Sequence, residues 1–194
     1  MRRLVLSIAV AFAAVLVQTP AQAGAPAQPA TREASAASKS KPSPWSPWTP
    51  TPTSPSTFTG LCSVDVEFTF PVDRVVQRHR VDAGGNTEIE SKGRLVATIT
   101  PSGTERHYTF DISGPSLGAH SQISYLNGDY LYRATGASII VFFGTTVQGT
   151  GMPRLAFTRG PVAILYTGNV KADVITRPRT VIDLCEFMGL GTAP

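Results

Sequence analysis

From Cys62 onward, apolar and polar residues alternate with a period of two. In Val64-Asp65-Val66-Glu67-Phe68-Thr69-Phe70 the apolar side chains fall on one side and Asp65, Glu67 and Thr69 on the other. Successive strand side chains point to opposite faces, so the run predicts a half-buried strand that stops at Pro71. Residues 74–81 form a second β-type run, rich in arginine, and Ala83-Gly84-Gly85-Asn86 a turn. Residues 93–100 give a third strand with Leu95, Ala97 and Ile99 aligned, and Pro101-Ser102-Gly103 turns the chain. In residues 105–113, Tyr108, Phe110 and Ile112 oppose His107, Thr109 and Asp111. Residues 138–143 hold the continuous run Ile139-Ile140-Val141-Phe142-Phe143, the pattern of a strand covered on both faces. Runs at 154–158, 162–167, 170–175 and 180–185 complete the set. No stretch carries an apolar stripe at helical spacing over three turns, and at most one short helical turn fits near residues 186–190.

Leu126-Asn127-Gly128-Asp129 is the clearest local signal. Asn-Gly favours a two-residue type I′ hairpin turn, because both residues tolerate positive φ. That turn would set Tyr125 opposite Tyr130 and Ile123 opposite Tyr132, on one face of the hairpin. Eight to ten short antiparallel strands at close spacing predict an all-β fold, an up-and-down barrel or barrel-like sandwich. Cys62 begins the first strand and Cys185 ends the last. A disulfide between them suits a barrel that closes by pairing those two strands, which also removes exposed edges.

The first 58 residues do not share the pattern. Residues 1–23 read as a signal peptide: Arg2 and Arg3, an uncharged apolar run, then Ala21-Gln22-Ala23 as a small-residue cleavage site. That run is short for a bilayer span, so no transmembrane segment is expected after cleavage. Residues 24–58 carry eight prolines among Ser, Thr and Ala, the composition of an extended, disordered linker. The β domain then occupies residues 59–194. Export makes a disulfide the economical use of the only two cysteines, Cys62 and Cys185.

The net charge of +4 does not describe that domain. Of the 17 Lys and Arg, Arg2, Arg3, Arg32, Lys39 and Lys41 precede it, and of the 13 Asp and Glu, Glu33 does, leaving 12 of each sign. A neutral domain gives no electrostatic footprint for nucleic acid.

Catalytic patterns are weak. Gly114-Pro115-Ser116-Leu117-Gly118 matches the nucleophile-elbow string, but β-type sequence follows it and no histidine lies beyond His120. His79, His107 and His120 sit on three separate segments, without metal-site spacing. Asp65 and Glu67 share a strand face, at a spacing that a retaining glycosidase could use, but it is the face turned from Val64, Val66 and Phe68. Arg74, Arg78 and Arg80 form a basic strand that suits either an anionic wall polymer or simple pairing with Glu88 and Glu90. Trp45 and Trp48 stand in the linker, where their area suits docking on the domain or on a partner.

Several of these runs together resemble a group of small secreted actinobacterial proteins of unassigned function. They are the strand led by Cys62, the Gly84-Gly85 turn, and Arg94-Leu95-Val96-Ala97-Thr98-Ile99-Thr100 followed by Tyr108-Thr109-Phe110-Asp111-Ile112-Ser113-Gly114-Pro115. Gly160-Pro161, Gly168 and the closing Val181-Ile182-Asp183-Leu184-Cys185 complete the likeness. The resemblance implies the β fold, export and the cysteine pair, and no activity. The expectation is a secreted, non-enzymatic binding or structural module without metal or cofactor. Its candidate contacts are Arg74, Arg78, Arg80, Tyr125, Tyr130, Tyr132, Trp45 and Trp48, and its candidate partner is a cell-envelope component. Two alternatives are a barrel enclosing a small apolar ligand and a barrel isomerase or hydrolase.

Overall fold

The computed structural model describes residues 41–113, 120–143, 150–168 and 171–192. The expected signal peptide, the first part of the linker and the Gly114-Pro115-Ser116-Leu117-Gly118 string lie outside them. Among the described residues the strands are β1 (Thr49–Pro50), β2 (Ser56–Phe58), β3 (Val66–Asp73), β4 (Val76–Val81), β5 (Thr87–Lys92), β6 (Leu95–Pro101) and β7 (Tyr108–Asp111). They continue as β8 (His120–Ser124), β9 (Tyr130–Ala134), β10 (Ala137–Val141), β11 (Leu155–Arg159), β12 (Val162–Thr167), β13 (Lys171–Thr176) and β14 (Thr180–Asp183), and one helical turn follows, α1 (Leu184–Phe187).

Every pairing is antiparallel, and the strands form three sheets: β1-β4-β5-β8-β9-β12-β13, β10-β11-β14 and β2-β3-β6-β7. The three-stranded sheet is the middle layer. Its Ile139, Val141, Leu155 and Phe157 join Val66, Phe68, Leu95, Ala97 and Ile99 of the four-stranded sheet in one core. Its Ile140, Phe142 and Ala156 join Ala134, Val162, Ile164 and Ala172 of the seven-stranded sheet in a second. The continuous apolar run at 139–143 therefore has the double burial its sequence predicts.

The same fact corrects the barrel. A strand covered on both faces belongs between layers rather than in a wall with solvent outside. No sheet closes on itself among the described residues; β3 pairs with β2 and β6, and β14 with β11 alone. The fold is a sandwich-like stack. The disulfide Cys62–Cys185 is present, with Cα atoms 5.4 Å apart. It joins no pair of neighbouring strands. Cys62 makes an isolated bridge with Thr192, and Cys185 lies in α1, whose N-cap Asp183 accepts from the Cys185 and Glu186 amides. The bridge fastens the entry of the domain to its C-terminal turn.

The hairpin register also differs from expectation. Ser124 opposes Tyr130, Ile123 opposes Leu131 and Gln122 opposes Tyr132. A type I′ turn needs positive φ at both central residues, yet only Gly128 has it, at 88°, and no non-glycine residue among those described does. Asn127 keeps negative φ and uses its side chain instead, accepting from the Asp129 amide at 3.1 Å and donating to its carboxylate at 2.9 Å. The amide of Tyr125 reaches the Asp129 carbonyl at 2.9 Å, so three residues span the turn and the register moves by one.

Two further differences concern prolines. Pro71 does not end its strand. The β3–β6 register shifts between Thr69 and Val72, and Pro71 sits in that irregularity, where its missing N–H costs no ladder bond. The linker is not unpaired as far as Phe58 either: β1 pairs with β4, and β2 with β3. Strand β5, which has only Ile89 as a large apolar residue, is the strand that periodicity does not mark. The chain passes between layers twice side by side, at 73–76 and at 92–95, where the Arg74 amide bonds the Arg94 carbonyl at 2.8 Å. A Cβ on Gly93 would lie 2.1 Å from the Arg74 carbonyl oxygen, so only glycine fits there.

Candidate functional site

The seven-stranded sheet holds most of the residues singled out above, and its register sorts them by face. On β4, Arg78 and Arg80 point one way; on β5, Glu88, Glu90 and Lys92 point the same way, because Arg78 opposes Glu90 and Arg80 opposes Glu88. Arg133 of β9 and Lys171 and Asp173 of β13 follow. This is the outer face. The inner face, turned to the middle layer, receives Gln77, His79 and Val81 of β4 and Thr87, Ile89 and Ser91 of β5. Strands β8 and β9 add His120, Gln122, Ser124, Tyr130, Tyr132 and Ala134, and β12 and β13 add Val162, Ile164, Tyr166, Ala172 and Val174. On these strands the inner face bears no Asp, Glu, Lys or Arg.

The outer face is built for docking the linker. Arg78 pairs with Glu90 at 2.6 Å, and Arg80 pairs with Glu88. Between and beyond these cations lie the indoles. Arg80 and Arg78 both sit 4.5 Å from the Trp45 ring, and Arg78 and Lys92 sit 4.7 and 4.3 Å from the Trp48 ring. The order along the stack is Arg80, Trp45, Arg78, Trp48, Lys92. Each contact of this kind contributes about 0.5–1 kcal/mol at an exposed site and about 2 when desolvated.

The backbone beneath the stack follows a tandem repeat, Ser43-Pro44-Trp45 and Ser46-Pro47-Trp48. The Ser43 amide donates to the Val81 carbonyl at 2.8 Å, and the Ser43 hydroxyl accepts the Val81 amide at 2.8 Å. Ser46 does the same with His79, at 2.8 and 2.9 Å. Each serine thus clasps one β4 residue, each proline leaves no unsatisfied donor, and each tryptophan enters the cation stack. The edge of β4 is covered by this strap. Trp45, Trp48, Arg78 and Arg80 are brought together; Arg74 is not, since it lies exposed in the crossover before β4.

The inner face carries the tyrosines. Tyr130 stacks on Tyr166 with centroids 4.4 Å apart and planes inclined by 12°. The Tyr132 hydroxyl lies 3.4 Å from His120 Nδ1, close to the side chain of buried Ser138 in the middle layer. Burial pushes the Tyr130 and Tyr132 phenols up to about 12 and the Tyr166 phenol higher still, the latter with help from its two neighbours. Burial also lowers the imidazole of His120 below its ordinary 6.5, which the backbone of Ala137 only partly offsets. His120 is therefore neutral at neutral pH. Tyr125 is turned to the outer side with Ile123 and Leu131, apart from the other two tyrosines, as the corrected register requires.

The remaining candidates disperse. His79 is bonded to the Ser46 hydroxyl and His107 to the Thr100 hydroxyl, in different sheets. Asp65 and Glu67 are exposed at the start of β3. Among the described residues no group of three His, Cys, Asp or Glu side chains could hold a metal ion. The continuous apolar run at 139–143 packs into the two cores. Comparison of the chain with family models, with curated proteins and with solved structures finds no match in any of the three.

Proposed function

We propose that this protein is exported and acts outside the membrane as a binding module rather than an enzyme. In this reading residues 1–23 are removed and residues 24–40 space the domain from whatever holds it. The strap at 41–50 fixes where that spacer meets the fold, and the Cys62–Cys185 bridge keeps the domain closed. One observation carries the binding role. The seven-stranded sheet confines its fixed charge to the face that docks the strap and leaves hydroxyl, amide and phenol groups on the other. The partner is a component of the cell envelope. The natural host is expected to release a chain that begins near Gly24 and weighs two protons less than its reduced form. That chain, immobilised, is expected to retain material from an envelope extract. A chain that stays inside the cell with free thiols refutes export. A correctly processed chain that retains nothing refutes the binding role.

A further inference from the structure

The strand edges of the stack are guarded unequally. The strap covers β4, with Ser43 and Ser46 bonded along it. Strand β13 carries the Lys171–Asp173 ion pair at 2.8 Å. Strand β14 has no such guard. It pairs with β11 alone among the described residues. Its Val181 and Ile182 point to opposite faces, since they oppose Thr158 and Phe157, and they are 40% and 36% exposed. Phe187 follows in α1, 56% exposed, with its ring 6.0 Å from those of Tyr108 and Phe110. An apolar edge uncovered on both faces is a template for a further strand.

The ladder and the charges define which strand fits. The Phe142 amide bonds the Arg154 carbonyl at 2.8 Å, and the Gly160 amide bonds the Gly136 carbonyl at 3.2 Å. Arg154 and Gly160 therefore turn their backbone groups toward β10. By two-residue alternation along β11, Ala156 and Thr158 do the same, while Phe157 and Arg159 turn toward β14. Ile182 and Thr180, which oppose those two, are then the residues that bond β11. The amide and carbonyl of Val181 point outward, and no other element among the described residues bonds them. The flanking charge is polarised: exposed Arg179 precedes β14, and Asp183 and exposed Glu186 follow its apolar pair. Asp183 caps α1 through Oδ1, which leaves Oδ2 for a cation. A second β14, antiparallel and centred on Val181, meets every one of these requirements. Val181 exchanges both backbone bonds with its copy, and each Arg179 stands opposite the second copy's Asp183 on one face. On the other face each Ile182 meets the second copy's Thr180, beside Phe187. We infer that β14 is a self-association edge through which two copies of this chain join their middle layers into one continuous sheet. The strand is only four residues long, so the dimer is weak, with a dissociation constant of about 10 µM to 1 mM. This edge is separate from the strap and independent of the binding role proposed above.

The test is analytical ultracentrifugation of the processed, disulfide-bonded chain over a concentration series reaching about 1 mM, with NMR on a mixture of isotope-labelled and unlabelled copies to locate the contact. The expected result is a reversible dimer whose intermolecular contacts lie at Val181 and Ile182. Val181→Pro removes the outward donor without touching a bond to β11, so the fold persists and the dimer weakens by about tenfold or more. Arg179→Glu, at an exposed position, sets like charges opposite Asp183 and also weakens it, most at low ionic strength. Leu126→Lys, in the β8–β9 turn, leaves the dimer unchanged. Dispersed spectra report that each variant folds, and Arg179→Glu decides the matter if Val181→Pro does not. A chain that stays monomeric over the whole series overturns the assignment. So does a dimer whose contacts lie elsewhere, such as the strap tryptophans, or one that Arg179→Glu leaves unchanged.

Discussion

The two faces of the seven-stranded sheet use the same backbone ladder for opposite ends. The outer face spends its side chains on charge. Arg78 and Arg80 are each matched to a glutamate across the strand pair and to an indole of the strap. Such exposed pairs contribute little individually, and their value here is to hold a segment in place. The inner face carries its apolar side chains at the β9-β12-β13 end, where the middle layer covers them, and its amides and hydroxyls at the β4-β5-β8 end. One sheet therefore anchors a linker on one side and, on the other, packs a core whose polar side chains gather at one end. Side-chain alternation alone keeps the two apart.

That contrast sets the order of expected effects. Phe142 is fully buried between the middle layer and the inner face. Phe142→Ala is expected to lower the unfolding free energy by about 3–5 kcal/mol, the range for a phenylalanine truncated in a core, as read by denaturant unfolding. The outer face should be cheaper. Trp45→Ala with Trp48→Ala removes the four cation–π contacts to Arg78, Arg80 and Lys92, so the expected loss is about 1–3 kcal/mol. Limited proteolysis should then cut residues 41–50 early while the two cores, the first of which includes Phe58, stay intact. Equal losses in the two experiments would erase the distinction between anchor and core.

A smaller effect depends on pH. His120 has a folded pKa below its ordinary 6.5, so the unfolded chain takes up the proton first as the solution is acidified. Its contribution to stability is thus complete above 6.5 and falls as pH drops from 6.5 toward the lower folded value. His120→Gln should flatten the stability profile in that window, by thermal unfolding at a series of pH values. An unchanged profile would place the acid sensitivity elsewhere.

How much of this was readable from sequence follows from what each strand buries. Strands β3, β6, β10 and β12 face a core on at least one side, so their apolar residues alternate or run on, and the pattern finds them. Strand β5 pairs its glutamates with arginines and turns Ser91 and Thr87 to the inner face, so it has almost no hydrophobic signal. Composition marks the linker as disordered because eight prolines forbid a ladder; the strap avoids that rule by letting Ser43 and Ser46 hydroxyls accept the β4 amides. The Ser-Pro-Trp repeat was the available sign. The basic strand and its glutamates could be paired by composition, but the indoles between the arginines could not. The gathering of His120, Tyr130, Tyr132 and Tyr166 on the inner face was hidden for a different reason: it depends on lateral register across three strands, which no single stretch of sequence encodes. The cysteine pair was legible, whereas the barrel drawn from it was not, because Cys185 lies in a helical turn rather than in a closing strand.

The hairpin offers the most direct measurement. Gln122 and Ile123 are neighbours on β8, and only the one-residue shift at Gly128 puts Gln122, not Ile123, opposite Tyr132 on the inner face. Ile123 lies on the outer face opposite Glu88, a ready partner for a lysine. The two single variants Gln122→Lys and Ile123→Lys should therefore behave differently under denaturant. Gln122→Lys places an unpaired charge among half-buried tyrosines and is expected to cost about 2 kcal/mol or more, while Ile123→Lys is expected to stay within about 0.5–1 kcal/mol of the parent. The reverse order, with Ile123→Lys the damaging change, would restore the type I′ register and contradict the assignment of faces on which the anchor and the packing of the inner face both depend.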